Sequence, residues 1–165
     1  MKNTAGSGFV ALLAAAALSL ATLGSFAADD PLLGTWVLNA SKSKGAPGSL
    51  PDSSTVVVTD AGGGKYKAVS DTAMAGANIH GEITFAFDGA DYTPVTTPAG
   101  PPGVSITQSA EKLSPASYKS SIKMNGAEVV TALNEVSADG KTLTVTSTGV
   151  GVAAGTSSIT VFDRK

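Results

Sequence analysis

A chain of 165 residues, 42% hydrophobic and 15% charged, with a formal net charge of −2 and no cysteine, is long enough for one domain with a real core and too short for two comfortable ones. Its charges are few and scattered, which argues against a nucleic-acid stripe and against a polybasic membrane patch. Without cysteine there is no disulfide framework and no thiolate chemistry, so packing and hydrogen bonds alone must hold the fold.

The first segment reads as an address. Lys2 supplies a positive start, residues 9–23 form an apolar run rich in Ala and Leu, and Ser25-Phe26-Ala27 places small residues where a signal peptidase cuts. The expectation is a signal peptide over 1–27, cleaved after Ala27, and one domain over 28–165. The rival is a single membrane anchor, which needs about 20 apolar residues; the run falls short before Asp29-Asp30. Loss of Lys2 leaves 10 basic and 13 acidic residues, and with no cysteine to lipidate, the product is expected to be periplasmic or secreted, with no stable membrane anchor.

From residue 34 onward the pattern is strand-like. Short runs of Val, Thr, Ile, Phe and Tyr alternate in polarity between turn residues. Ten strands are predicted, over 34–39, 54–60, 65–71, 76–80, 81–87, 91–96, 103–109, 116–123, 127–136 and 141–148. A closing strand over 156–164 follows, so one middle segment can be a continuation of its neighbour. Leu143 and Val145 oppose Thr142, Thr144 and Thr146; Tyr118, Ile122 and Met124 oppose Lys119 and Lys123; Ile83, Phe85 and Phe87 share a face. Asp88-Gly89, Asn125-Gly126 and Asp139-Gly140 are Asx-Gly pairs that suit tight hairpins. Segment 41–53 is a polar loop, and the four prolines of 93–103 exclude a central strand there. That second loop either rims a cavity or is a surface connection. Many short antiparallel strands imply a barrel or sandwich, and an up-and-down barrel removes exposed edges. The expected class is all-β, a single antiparallel up-and-down β-barrel of about 8–10 strands.

Catalytic chemistry is sparse. His80 is the single histidine, which excludes a multi-histidine metal site; it reads as an exposed or hydrogen-bonded residue rather than a base. No nucleophile elbow marks any serine. Ser41-Lys42-Ser43-Lys44 lacks the helix and companion motifs that a Ser-x-x-Lys catalyst needs. The glycines of 149–155 lead into a strand rather than a phosphate-binding helix. Asn39-Ala40-Ser41 is a sequon only where the host has the machinery. Asp88 and Asp91 read as turn formers. No catalytic residue, metal site or cofactor is expected.

Gly34-Thr35-Trp36-Val37-Leu38-Asn39 resembles the Gly-x-Trp first strand of the calycins, the superfamily of lipocalins and fatty-acid-binding proteins, and the last third, from Asn125 to Lys165, is similar to the final strands of the latter. A set of exported bacterial lipocalin-like proteins shares this likeness. The resemblance implies a barrel, with departures. Where fatty-acid-binding proteins hold a carboxylate with an Arg-x-Tyr and a second Arg, this chain has Thr160-Val161-Phe162 and Asn134, and Arg164 is its single arginine. A desolvated carboxylate without a cation costs several kcal/mol, so that mode of fatty-acid binding is not expected. Segment 41–53 is also too short, and too rich in Pro and Gly, for that family's helical lid.

Lipocalins suggest another use for a lone arginine near the C-terminus, stacked across the first-strand tryptophan to close one barrel end. Gly34, Trp36 and Arg164 are the residues placed to do this; the alternative is a solvated Arg164. Asn134, Thr160 and Phe162 are the expected ligand contacts, for a small, neutral hydrophobic molecule. The competing reading is a filled barrel acting as a structural or interaction module. Nothing in the sequence sets the oligomeric state.

Overall fold

The structure, a computed structural model, describes residues 30–165; the expected signal peptide and its cleavage point lie outside the described residues. Ten antiparallel strands form one curled sheet in the order β6-β5-β4-β3-β1-β11-β10-β9-β8-β7, and an eleventh, β2, pairs with β11 off that path. The strands are β1 Gly34–Leu38, β2 Lys44–Gly45, β3 Ser53–Gly62, β4 Lys65–Met74, β5 Ala77–Ala86, β6 Val95–Thr97, β7 Ile106–Ser114, β8 Ser117–Met124, β9 Ala127–Val136, β10 Thr142–Gly149 and β11 Ser157–Arg164. A short 3-10 turn, Gly151–Ala153, separates the last two. The class is the all-β antiparallel up-and-down barrel expected from the strand rhythm.

Closure uses two different seams. The first strand joins the last, Trp36 opposite Arg164 and Leu38 opposite Phe162. β2 then carries on along β11, with Lys44 opposite Ile159. The other seam lies between β5 and β7. There the segment after β5 makes two isolated bridges, Asp88 to Glu111 and Tyr92 to Gln108. The Tyr92 and Gln108 amides each donate to the other's carbonyl at 2.8 Å. Lys123 pairs with Asp91 at 2.8 Å across the same seam.

Besides strand ends that are shifted or extended, as in β3, β4 and β7, three segments differ from the sequence reading. Segments 76–80 and 81–87 are one strand, β5. Gly81 stands opposite Ser70, where an added Cβ would sit 2.9 Å from the Ser70 hydroxyl, so this glycine makes room inside a strand rather than a turn. The actual turn is Ala75-Gly76, with φ of 51° and 79°. The strand placed at 91–96 is the short β6, which pairs with β5 alone, as an edge beside prolines must. The loop at 41–53 contains β2.

The inner face follows from register. Trp36 lies opposite Val56, Val58 opposite Ala68, and Ala68 opposite Ile83. Alternation then turns Val57, Lys67, His80 and Glu82 outward. The packed core gathers at the end where Trp36 lies, with Leu32, Val58, Val136, Leu143 and Phe162. Four aromatic rings extend it: Tyr66 and Phe87 at 4.9 Å, Phe87 and Tyr118 at 5.1 Å, Phe85 and Phe87 at 5.4 Å, all edge-on. Towards the opposite end small polar residues take over, and Ser54 and Thr72 hydrogen-bond at 2.9 Å.

His80 faces outward into a charge network. Its Nδ1 lies 2.7 Å from Asp71 and its Nε2 3.4 Å from Glu82, which also binds Lys67 at 2.7 Å. The hydrogen bond to Asp71, and then that to Glu82, raise the imidazole pKa above its ordinary 6.5. Folding therefore gains stability from His80 below pH 6.5 and loses it as pH rises through the higher folded value. NMR titration should give a His80 midpoint above 6.5, falling in Asp71→Asn. A midpoint at or below 6.5 contradicts the network.

Candidate functional site

One end of the barrel is shut by the segment that precedes β1. Leu32 is 3% exposed and Trp36 wholly buried, and the Trp36 indole N–H donates to the Leu32 carbonyl at 2.9 Å. Arg164 reaches across from the last strand. Its Nε donates to the Gly140 carbonyl, and its two terminal nitrogens to the carbonyls of Leu33 and Pro31. The guanidinium carbon stands 4.3 Å from the centre of the Trp36 ring, within the range of a cation–π contact. Gly34 permits the approach. Its φ is +134°, and a Cβ there would lie 2.5 Å from an Arg164 terminal nitrogen.

A second tie holds the start of this segment. Lys112 Nζ lies 2.8 Å from Asp30 Oδ2, the Tyr66 hydroxyl donates to the same oxygen, and the Leu32 amide donates to Oδ1 at 3.0 Å. Burial pulls the Asp30 pKa up, but the bonds from Lys112, Tyr66 and Leu32 outweigh it and hold the carboxyl below its ordinary value. The Lys112 ammonium also sits over the Phe87 ring at 4.9 Å. Its charge is engaged by Asp30 and the aromatic faces.

Above this closed end lies a cavity of about 210 Å³. Leu32, Val56, Val58, Phe85 and Leu143 supply apolar wall, and Gln108, Ser109, Tyr118, Ser120 and Asn134 supply polar atoms; none of the lining residues is charged. It is small beside the roughly 300–1,000 Å³ of drug-sized ligand sites. Ala68, Ala110 and Ser120 leave the space open, because short side chains stand at inward positions of β4, β7 and β8.

Of the three residues expected as ligand contacts, Asn134 lines the cavity and is 5% exposed. Phe162 lies in the packed core with Trp36 and Leu143. Thr160 lies opposite Val145 on the inner face and is not among the lining residues. Gln108, Tyr118 and Phe85 were not singled out as contacts, although alternation in two of their strands had already grouped Tyr118 with Ile122 and Phe85 with Ile83. The acidic residues of the 88–91 turn have partners. Asp88 accepts from the Ala90 amide at 3.0 Å and the Tyr92 hydroxyl at 2.8 Å, and Asp91 is paired with Lys123.

No protein-family model matches the sequence, and no curated protein matches it. Solved structures do match the fold. A Schistosoma mansoni fatty acid binding protein in complex with arachidonic acid aligns at a TM-score of 0.59 and 18% identity, covering 82% of this chain and 97% of that one. The chain has a calycin fold. A point mutant of the fluorescent protein UnaG aligns on the same calycin barrel at a TM-score of 0.58 and 17% identity, again covering 82% of this chain and 97% of that one.

Proposed function

We propose that this calycin barrel is an exported, non-enzymatic carrier of a small hydrophobic molecule held in its interior. The observation that carries the reading is the cavity, lined by apolar side chains and a few polar groups with no charge on its wall. Sites of that composition suit apolar ligands fixed in orientation by one or two hydrogen bonds. The fold supports it, since one matched structure is a fatty acid binding protein in complex with arachidonic acid. A free carboxylate is a poor fit here, because the nearby cation, Lys112, is already bound to Asp30. Export rests on the leader-like features of residues 1–27.

Native mass spectrometry of protein purified gently from its own cells tests the reading. The wild-type chain is expected to carry an apolar adduct, and Ala68→Phe, which places a ring in the cavity, is expected to lose it. Such overpacking costs roughly 1–3 kcal/mol, so the variant should remain folded. A wild-type chain that carries no adduct and takes up no apolar probe in solution contradicts the proposal.

A further inference from the structure

The cavity touches both banks of the seam between β5 and β7. Ile83 and Phe85 of β5 line it on one side, and Gln108, Ser109 and Ala110 of β7 on the other. No ladder joins these two strands among the described residues; β6, beside β5, and β7 are the two ends of the sheet. Alternation turns Ser109 outward, between the inward Gln108 and Ala110, yet Ser109 borders the cavity. The hollow therefore reaches the edge of β7. Ser54, Ser70 and Thr72, the small inward residues towards the opposite end of the barrel, take no part in its wall.

Residues 88–92 lie across this seam as a strap. Each end is anchored. On one side Phe87 is fixed among Tyr66, Phe85 and Tyr118. On the other, β6 pairs with β5, Val95 opposite Glu82 and Thr97 opposite His80. The middle is tied to the far bank by little. The Gly89 amide donates to the Ala110 carbonyl at 2.9 Å, and the Tyr92 and Gln108 amides donate to each other's carbonyls at 2.8 Å. Asp91 adds an ion pair with Lys123 at 2.8 Å. Within the strap, Asp88 accepts from the Ala90 amide and the Tyr92 hydroxyl, which makes the segment stiff enough to turn as one piece.

Release of those three backbone bonds and the ion pair leaves both banks whole. The β4–β5 ladder runs from Lys65 and Ala86 to Met74 and Ala77, and the β7–β8 ladder from Ile106 and Met124 to Ser114 and Ser117. Segments held by few bonds open far more readily than the ladders around them. The closed end offers no comparable route, because Trp36 is wholly buried there and Arg164 ties down the segment that covers it.

We propose that residues 88–92 are a gate, whose release from β7 opens a side entrance to the cavity for the hydrophobic ligand. This rests on the ligand-binding reading above and adds the route into that same site.

Tyr92→Cys combined with Gln108→Cys tests it. The two residues are a hydrogen-bonded antiparallel pair. Such pairs hold their Cα atoms about 5.5 Å apart, within the reach of a disulfide, and the chain has no other cysteine. One protein then reports both states, stapled when oxidised and free when reduced. The probe is benzene, which a cavity of about 150 Å³ already holds, followed by exchange NMR of the Val58 and Leu143 methyls. The two states are expected to bind benzene with affinities within about twofold, while exchange slows at least about tenfold in the stapled one. Lys123→Ala, outside the cavity wall, should speed exchange about two- to fivefold, the range that loss of an exposed ion pair allows.

Hydrogen exchange of the wild-type chain gives a second reading that needs no variant. The Gly89, Tyr92 and Gln108 amides should exchange at least about tenfold faster than the Ala132 amide in the middle of β9. Equal protection at these positions would overturn the gate. Equal benzene exchange in the stapled and reduced protein would also overturn it, and would leave the binding barrel standing with its entrance at the open end. No uptake of benzene by the wild-type chain would overturn the gate together with the reading it rests on.

Discussion

Trp36→Ala is expected to lower the free energy of unfolding by about 3–5 kcal/mol, as truncation of a fully buried aromatic does. For a domain of this size that corresponds to a fall in melting temperature of roughly 10–20 °C. Trp36 is wholly buried, packs with the core cluster, and donates its indole N–H to the carbonyl of Leu32. Its removal opens a cavity at the closed end and leaves that carbonyl without its donor. Trp36→Phe should recover most of the packing and lack the N–H bond, a residual loss of about 1–2 kcal/mol. Denaturant unfolding measures both, and a loss under about 1 kcal/mol for Trp36→Ala would show that the indole does not close the barrel.

Arg164→Ala carries the second large effect, about 2–4 kcal/mol. The side chain makes three charge-assisted bonds to the carbonyls of Pro31, Leu33 and Gly140 and stacks on Trp36. Bonds to a charged group contribute about 1.5–3 kcal/mol each in favourable cases, and the stack about 0.5–2 kcal/mol; part of that gain is offset by ordering a long side chain. Arg164→Lys should recover less than half, because an ammonium cannot span three carbonyls in the fixed fork of a guanidinium. Hydrogen exchange gives the local readout. The Leu32 and Leu33 amides, bonded to Asp30, should lose protection in Arg164→Ala well before the Leu143 amide inside the sheet. Unchanged protection at Leu32 and Leu33 would mean that Arg164 does not hold the closing segment.

Much of the barrel was readable from alternation alone. β9 runs over the predicted 127–136, and β8 and β10 lie within one residue of the predicted bounds at each end. In those strands the polar face is clean and an Asx-Gly turn or equivalent bounds the run. The misreadings have local causes. Gly81 looked like punctuation and is a space-maker in mid-strand. Residues 110–114 of β7 were missed because Glu111 and Lys112 interrupt the apolar rhythm, and a register shift between Lys112 and Ser114 leaves Leu113 exposed at 58%.

The site was less legible than the fold. Asp30, Tyr66 and Lys112 carry no pattern as single residues, the latter two lying 36 and 82 positions from Asp30 along the chain; only closure of the sheet brings them together. The cavity is made of what is missing. Ala68, Ala110 and Ser120 are ordinary small residues until register places them on one inner wall. Asn134 could be placed from its position in the family resemblance, whereas Gln108 and Tyr118 needed the register of β7 with β8.

The central claim is that the interior is hollow, at the level of Phe85 and Asn134, rather than packed solid. Apolar cavities of this size take up xenon, so methyl NMR under xenon pressure tests it with no assumption about the natural ligand. The expected result is saturable shifts of the Val56, Val58, Ala110 and Leu143 methyls, with those of the outward-facing Val57, Leu133 and Ile159 nearly still. Shifts confined to the outer residues, or none at all, would mean a filled barrel whose business lies on its surface.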